Sequence, residues 1–431
     1  MDAIMDVITM TALPVYLLLR YVRTFNFVDF NFTNSEWYND VWIVNFMHDS
    51  QVVLTSSWLD MISRLILSTS VLSSLEAAFN LALVARDPAL RLATASRQRN
   101  DSLAIRRFHR WSRYVLGLWG ATVLLLHVHA SRIPKPEACS LHVRPWLATL
   151  PSCAFVDVNC QNVVDAVDSV GRAIESVDAA VVVHLRVRHC SNVVMSSSLQ
   201  TLTYLVGLKI YNSTVLSWPA NAALTWQHHD HMRFAFFPRV VFPNATLPVG
   251  LISLDFPPKL NDLEFCGTNI AWIPDDLALA WASVRYLYME QSPLTTVPLA
   301  FIRMDKLQYL SMADDLVTDI PMALLEPPVR RVLAFGGNPI VTLPDPDPTA
   351  LPPGAYSMRT LLVDRTLLAM APRWWDVVTT WVGATDTPVC DALANASSAE
   401  AQRPWAKRAI CTFYRYGIDR PAALYPLHLE E

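Results

Sequence analysis

Between Val182 and Pro372 one arrangement of apolar positions recurs about eight times. Each copy has an apolar residue, two others, an apolar residue, one other, an apolar residue, then a small polar residue, and most copies close with a proline. The clearest copy runs from Leu260 through Leu263, Phe265, Thr268, Ile270 and Ile273 to Pro274. The next two run from Val284 through Leu287, Met289 and Ser292 to Pro298, and from Leu307 through Leu310, Met312 and Asp315 to Pro321. Their starts, at 260, 284 and 307, lie 24 and then 23 residues apart. Copies starting at Leu205, Arg330 and Met358 follow the same rule, with Ser213, Asn338 and Thr366 at the polar position. Two looser copies start near Val182, with Leu185, Val187 and Cys190, and near His231, with Phe234 and Phe236.

This spacing predicts a short strand in every copy, because alternate strand residues point to opposite faces. The fourth and sixth positions enter one core, and their neighbours face out. No copy can bury its apolar face alone, so copies must stack and the two ends must be capped. The small polar residue is placed to bond turn backbone inside the stack.

The pattern resembles the leucine-rich repeat family. The resemblance implies an α/β fold, a leucine-rich repeat solenoid of about eight repeats of 23 to 29 residues with a curved parallel sheet. Repeats are expected over residues 182–374, with a cysteine-containing cap over 131–181 and a second cap over 375–431. Binding in stacked repeats usually uses the concave face formed by the outward strand residues. In this register those are His184, Arg186 and Arg188, then Lys209 and Tyr211, then Arg233, then Asp262 and Glu264, then Tyr286, Tyr288 and Glu290, and finally Tyr309 and Asp314. The expected face therefore runs from basic to acidic, with tyrosines in the acidic half. Tyrosine offers large contact area with a polar tip, and a polarised field steers a partner of complementary charge.

Composition changes the picture for the first third. Hydrophobic residues make up 52% of the 431-residue chain and charged ones 17%, which points to contact with lipid. Tyr114 to Ala130 contains no Asp, Glu, Lys or Arg and, at about 17 residues, meets the lower limit for a spanning helix. The arginine-rich segment 86–113 before it is expected to be a cytosolic loop, which puts the repeats on the outer or lumenal side. Val7 to Val22 and Trp58 to Ala85 are further candidate spans, but the first holds Arg20 and the second Asp60, Arg64 and Glu76. Residues 1–130 are thus expected to be a membrane region with one to three α-helical transmembrane spans. With three, the sequon Asn31-Phe32-Thr33 lies outside; otherwise the second apolar stretch lies along the interface.

The cysteines fit an oxidising side. Cys139, Cys153 and Cys160 crowd the segment before the repeats, and Cys390 and Cys411 bracket the segment after them. Outward-facing arrays of the resembled family commonly carry cysteine-rich caps at both ends, which implies a Cys390–Cys411 bridge and one among the first group, such as Cys139 with Cys153. The odd sulfur either pairs with Cys190 or leaves Cys190 in the core. Sequons at Asn212, Asn244 and Asn395 are candidate glycosylation sites, and a further one at Asn100 should stay bare in a cytosolic loop.

Candidate chemistry is sparse. His228, His229, Asp230 and His231 are the densest group of potential metal ligands, but neighbouring residues rarely converge on one point, so a solvated convex loop and no metal are expected. Glycine totals 11, and no phosphate loop, kinase signature or nucleophile elbow is present, so no catalysis and no cofactor are expected. A net charge of −4 lacks the basic balance of nucleic-acid binders. Together these features predict a membrane protein, at the plasma membrane, whose repeats face the exterior or lumen and bind a protein or peptide. With no enzyme domain, a signalling partner chain would be needed. The competing expectation is an assembly scaffold within a membrane complex. A concave face open to solvent favours recognition, and one covered by another subunit or by the caps favours assembly.

Overall fold

Every clear copy of the repeat forms the strand its alternation demands. The computed structural model describes residues 12–27, 31–53, 103–145, 148–162, 168–326, 331–347, 358–377, 381–395, 397–411, 425–427 and 430, with isolated positions between 62 and 79. The chain divides into two units, residues 1–133 with 144–147, and residues 134–143 with 148–431.

The second unit carries a sheet of twelve described strands in chain order. These are β1 (Cys139–His142), β2 (Cys153–Asn159), β3 (His184–Arg188), β4 (Gly207–Tyr211), β5 (Phe234–Pro238) and β6 (Asp262–Cys266). They continue as β7 (Tyr286–Glu290), β8 (Tyr309–Ser311), β9 (Val332–Ala334), β10 (Thr360–Leu362), β11 (Trp381–Gly383) and β12 (Ala409–Ile410). β1 is antiparallel to β2, and every later pairing is parallel. The expected solenoid of stacked repeats with a parallel sheet is therefore present. Its parallel ladder also takes in β2, from the segment expected as the first cap, and β11 and β12, from the segment expected as the second.

One core row shows the stacking directly. Val156, Leu185, Leu208, Ala235, Leu263, Leu287, Leu310, Leu333, Leu361 and Val382 are successive register partners, and all are buried. Ala235 in this row corrects the expectation for the copy near His231. Ala235 and Phe237 point into the core there, while Phe234 and Phe236 occupy the outward positions and Arg233 precedes the strand. A one-residue slip exchanges the two faces of a strand. Phenylalanines on both faces hid the slip, and the small core residue Ala235 hid it further.

The closing prolines start the convex segments. Pro298, Pro321 and Pro372 sit at the N-caps of Leu299–Arg303, Met322–Leu325 and Arg373–Asp376. Their carbonyls accept from Phe301, Leu324 and Trp375, so the missing proline N–H costs nothing at a position that needs no donor. The small polar row is buried as expected. Ser213 accepts from the Cys190 N–H at 3.0 Å, and Asn338 accepts from the Val317 N–H at 2.9 Å. Each coil from β3 to β11 also turns out of its strand through a left-handed residue: His189, Asn212, Arg239, Gly267, Gln291, Asp314, Gly337, Arg365 and Asp386.

Bridges Cys139–Cys153 and Cys390–Cys411 secure the two ends. Cys190 takes the odd sulfur, Cys160, and so ties the coil of β2 to the coil of β3.

In the first unit, helix α1 (Leu13–Val22) and helix α2 (Asp40–Val53) are joined through Tyr21, whose hydroxyl donates to Asp49 at 2.6 Å and whose ring packs against Trp42 and Phe46. Helix α3 (Leu103–Ser131) takes its first turns from the arginine-rich segment, so residues 103–113, expected in a loop, are helical. Trp111, Tyr114, Leu118, Trp119, Leu124 and Leu125 are exposed along it. Among the described residues no helix is long and apolar enough to cross a membrane. Most of Trp58 to Ala85, the start of Val7 to Val22, and residues 86–102 of the arginine segment lie outside the described residues.

Candidate functional site

The outward residues of β2 to β8 form a continuous surface, because parallel strands in register bring like positions side by side. Its middle row runs Asp157, Arg186, Lys209, Phe236, Glu264, Tyr288 and Ser311, each the register partner of the next. The basic-to-acidic order expected along the face is present in this row, but two features alter its meaning.

At the basic end the charge is largely neutralised. Asp157 accepts from both arginines, with its carboxylate 2.8 Å from Arg186 Nη2 and 3.0 Å from Arg188 Nη2. Burial alone would raise the Asp157 pKa, yet these hydrogen bonds and positive charges hold it below the usual carboxylate range. The Arg186 guanidinium also lies over the Phe155 ring, 5.0 Å from its centroid. Asp157 was not among the expected site residues, because its strand fell in the segment read as a cap. The alternation Ala154, Val156, Val158 in that segment was the available signal.

At the centre the face is covered. Lys209 is 1% exposed although it points outward, and its Nζ lies 2.5 Å from Glu430 Oε1. Glu290, fully buried, accepts from the Tyr425 N–H at 2.7 Å and from the Ser311 hydroxyl at 2.5 Å. The Tyr425 ring meets Phe236 edge to face at 6.2 Å, and its hydroxyl donates to Glu430. Residues near the C-terminal end of the chain thus occupy the middle of the expected ligand face. Three of the residues expected to meet a ligand are therefore not open to solvent: Lys209, Glu264 and Glu290 are buried. Tyr211 is buried too, with its ring against His189.

Of the remaining expected residues His184 is buried, and the others keep solvent access. Tyr286 is exposed, while Asp262, Tyr288 and Tyr309 are half-buried, and the rings of Tyr288 and Tyr309 stack at 4.9 Å. Asp314, half-buried at its turn, pairs with Arg365 at 2.8 Å across Gly337. Among the predicted sequon residues, Asn212, Asn244 and Asn395 are all exposed, and Asn212 donates to His189 Nδ1 at 2.9 Å.

The histidine cluster is only partly a solvated loop. His229 is fully buried; its Nδ1 accepts from the Thr225 N–H, so Nε2 carries the proton and donates to the Leu199 carbonyl at 3.1 Å. Burial holds its pKa down to about 4, against the effect of those backbone bonds. Asp230 pairs with Lys259 at 2.5 Å. With both ring nitrogens of His229 committed to backbone, the cluster cannot converge on one ion, and among the described residues no group of three such side chains could hold a metal.

No protein-family model and no curated protein matches the chain. Among solved structures it is similar to TLR13 in a complex with a single-stranded RNA, at 11% identity and TM-score 0.39, over 51% of this chain and 31% of that one. It is also similar to a Leptospira interrogans LRR protein, at 16% identity and TM-score 0.38, over 50% and 53%. A third likeness, at 14% identity and TM-score 0.36, is to a Toll–Spatzle complex from Drosophila, over 52% of this chain and 30% of that one. The matched part spans between about a third and about half of those chains.

Proposed function

We propose that this leucine-rich repeat protein is a membrane-anchored recognition module that binds a protein or peptide through its concave face and carries no catalytic site of its own. The observation that carries the reading is the group Tyr286, Tyr288 and Tyr309, side by side on neighbouring strands and reachable from solvent. Rigid aromatic side chains with polar tips give contact area at small entropic cost. Anchoring is supported by α3, whose stretch from Tyr114 to Ala130 is free of charge and exposes large apolar side chains. An outward or lumenal position of the repeats is supported by three disulfides and by exposed sequons. The plasma membrane is the expected site.

The assembly reading is favoured by one observation, the burial of Lys209 and Glu290 beneath the chain's own C-terminal residues. It would make the concave face an internal joint. Two measurements decide. Glycosidase treatment of protein made in a eukaryotic cell should produce a mass shift that shrinks as Asn212, Asn244 and Asn395 are replaced in turn by Gln; no shift at all would move the repeats to the cytosol. A photo-crosslinking residue at position 288 should then capture a partner on intact cells that the same residue at convex position 279 does not.

A further inference from the structure

The contacts of the C-terminal residues with the concave centre differ in kind from those that hold the solenoid together. The coils are joined by a continuous backbone ladder, a shared apolar core and disulfides, which cannot part without unfolding. Tyr425 and Glu430 lie past Cys411, the last bridged cysteine, and their described contacts are an ion pair, backbone and side-chain hydrogen bonds, and one edge-to-face ring contact. The groups on the sheet side can be satisfied twice. With the segment in place, Lys209 has a carboxylate and Glu290 has an N–H; with it gone, both side chains project from an outward face where water can solvate them. A buried ion pair broken by removing one partner inside a core leaves a costly unpaired charge. At a face that opens to solvent that cost is avoided, so occupancy can be reversible.

The three anchor points also define a ligand. Glu290 takes a main-chain N–H, Phe236 takes the edge of an aromatic ring at that same residue, and Lys209 takes a carboxylate further along. We propose that the concave centre is a binding site for a peptide bearing an aromatic residue followed by an acidic one, and that Tyr425 and Glu430 are its resident occupants. Recognition by the face is then gated: an incoming peptide of this chemistry binds by displacing the chain's own segment. The inference rests on the reading of the concave face as a recognition surface and adds the class of peptide it takes.

The test uses the full chain and one probe, a fluorescein-labelled synthetic peptide of residues 421–431. Binding by anisotropy is compared between the unaltered protein and the double variant Tyr425→Ala, Glu430→Gln, whose resident segment has lost its ring and its carboxylate. The peptide should bind the double variant at least about tenfold tighter than the unaltered protein. Adding Lys209→Met should remove that gain, as should Glu430→Gln within the peptide. Equal affinity for the unaltered protein and the double variant, or binding to neither while circular dichroism shows both folded, would overturn the proposal. The assay uses purified protein, so it is indifferent to which side of a membrane the repeats face. A missing glycan shift would defeat the proposed location and leave the peptide result standing, while a failed peptide assay would leave the glycan result standing.

Discussion

Asp315 stands in its coil where Asn338 stands in the next, and the two meet the position's demands differently. Asn338 accepts from the Val317 N–H and donates from its amide to the Met312 and Phe335 carbonyls at 2.6 and 3.0 Å. Asp315 accepts from the Ser292 N–H at 2.7 Å, but its second oxygen has no hydrogen-bond partner among the described residues. Burial pushes its pKa up to about 9, with the charges of Glu290 and Asp314 adding to the rise against the Ser292 hydrogen bond. The folded protein therefore keeps this carboxyl protonated at neutral pH, whereas the unfolded chain ionises it above about pH 4. The stability this carboxyl supports is full below pH 4 and is lost as pH rises toward 9.

Asp315→Asn should consequently stabilise the protein at pH 7 by on the order of 2 kcal/mol, roughly 5 °C in Tm. The gain should fade toward pH 4. Calorimetry at the two pH values checks it, and an equal gain at both would mean that packing, not ionisation, is responsible.

His229 gives the opposite slope. Its pKa is held at about 4 by burial, below the value near 6.5 of an unfolded histidine, so the stability it supports is complete above pH 6.5 and is lost as pH falls toward 4. Urea midpoints at pH 7 and pH 4.5 should differ less in His229→Phe than in the unaltered protein, even though the variant is weaker at pH 7 for want of the bonds to Leu199 and Thr225.

Gly207 is where a single methyl group should matter. A Cβ there would meet Phe234 Cζ and lie 2.5 Å from His184 Nδ1, both side chains of the neighbouring strands β5 and β3. Gly207→Ala should cost about 1 to 3 kcal/mol, as overpacking does. Thermal melting is sufficient to see it, and an unchanged Tm would show that both rings can give way.

Removal of the Cys160–Cys190 bridge by alanine at both positions should lower stability by roughly 3 to 4 kcal/mol, from the loop it closes in the unfolded chain. A urea midpoint that moves by less would imply that β2 docks on β3 firmly without it.

The repeat was legible because it asks two independent questions of each residue, its place in the period and its face on the strand, and most copies answer both. Leu263 with Phe265 and Leu310 with Met312 leave no alternative register. The copy holding Phe234, Phe236 and Phe237 was misread because apolar residues on both faces remove the second question. The left-handed corner was invisible for a different reason. Gly267 and Gly337, and less strongly Asn212, Asp314 and Asp386, carry residue types that such backbone favours, but Arg239 or Gln291 gives no hint of it. The outward strand positions of the tyrosine group needed only the register. Neither the Asp157 pairing nor the cover over Lys209 could be found that way. The cover joins positions 209 and 430, and no local period connects them.

Stacked coils touch only their neighbours, so the stability of such an array is close to a sum of terms between adjacent members, and any part may loosen while the rest holds. The segment at Tyr425 and Glu430 breaks that rule. Through Lys209, Phe236 and Glu290 it spans β4, β5 and β7, passing over β6, and so adds a term between coils that are not adjacent. While the segment is seated, these coils share one cooperative melting unit; once it leaves, they revert to an elastic chain of neighbours. Seating of this segment is thereby written into the stiffness of the solenoid as well as into access to the strand face that it covers.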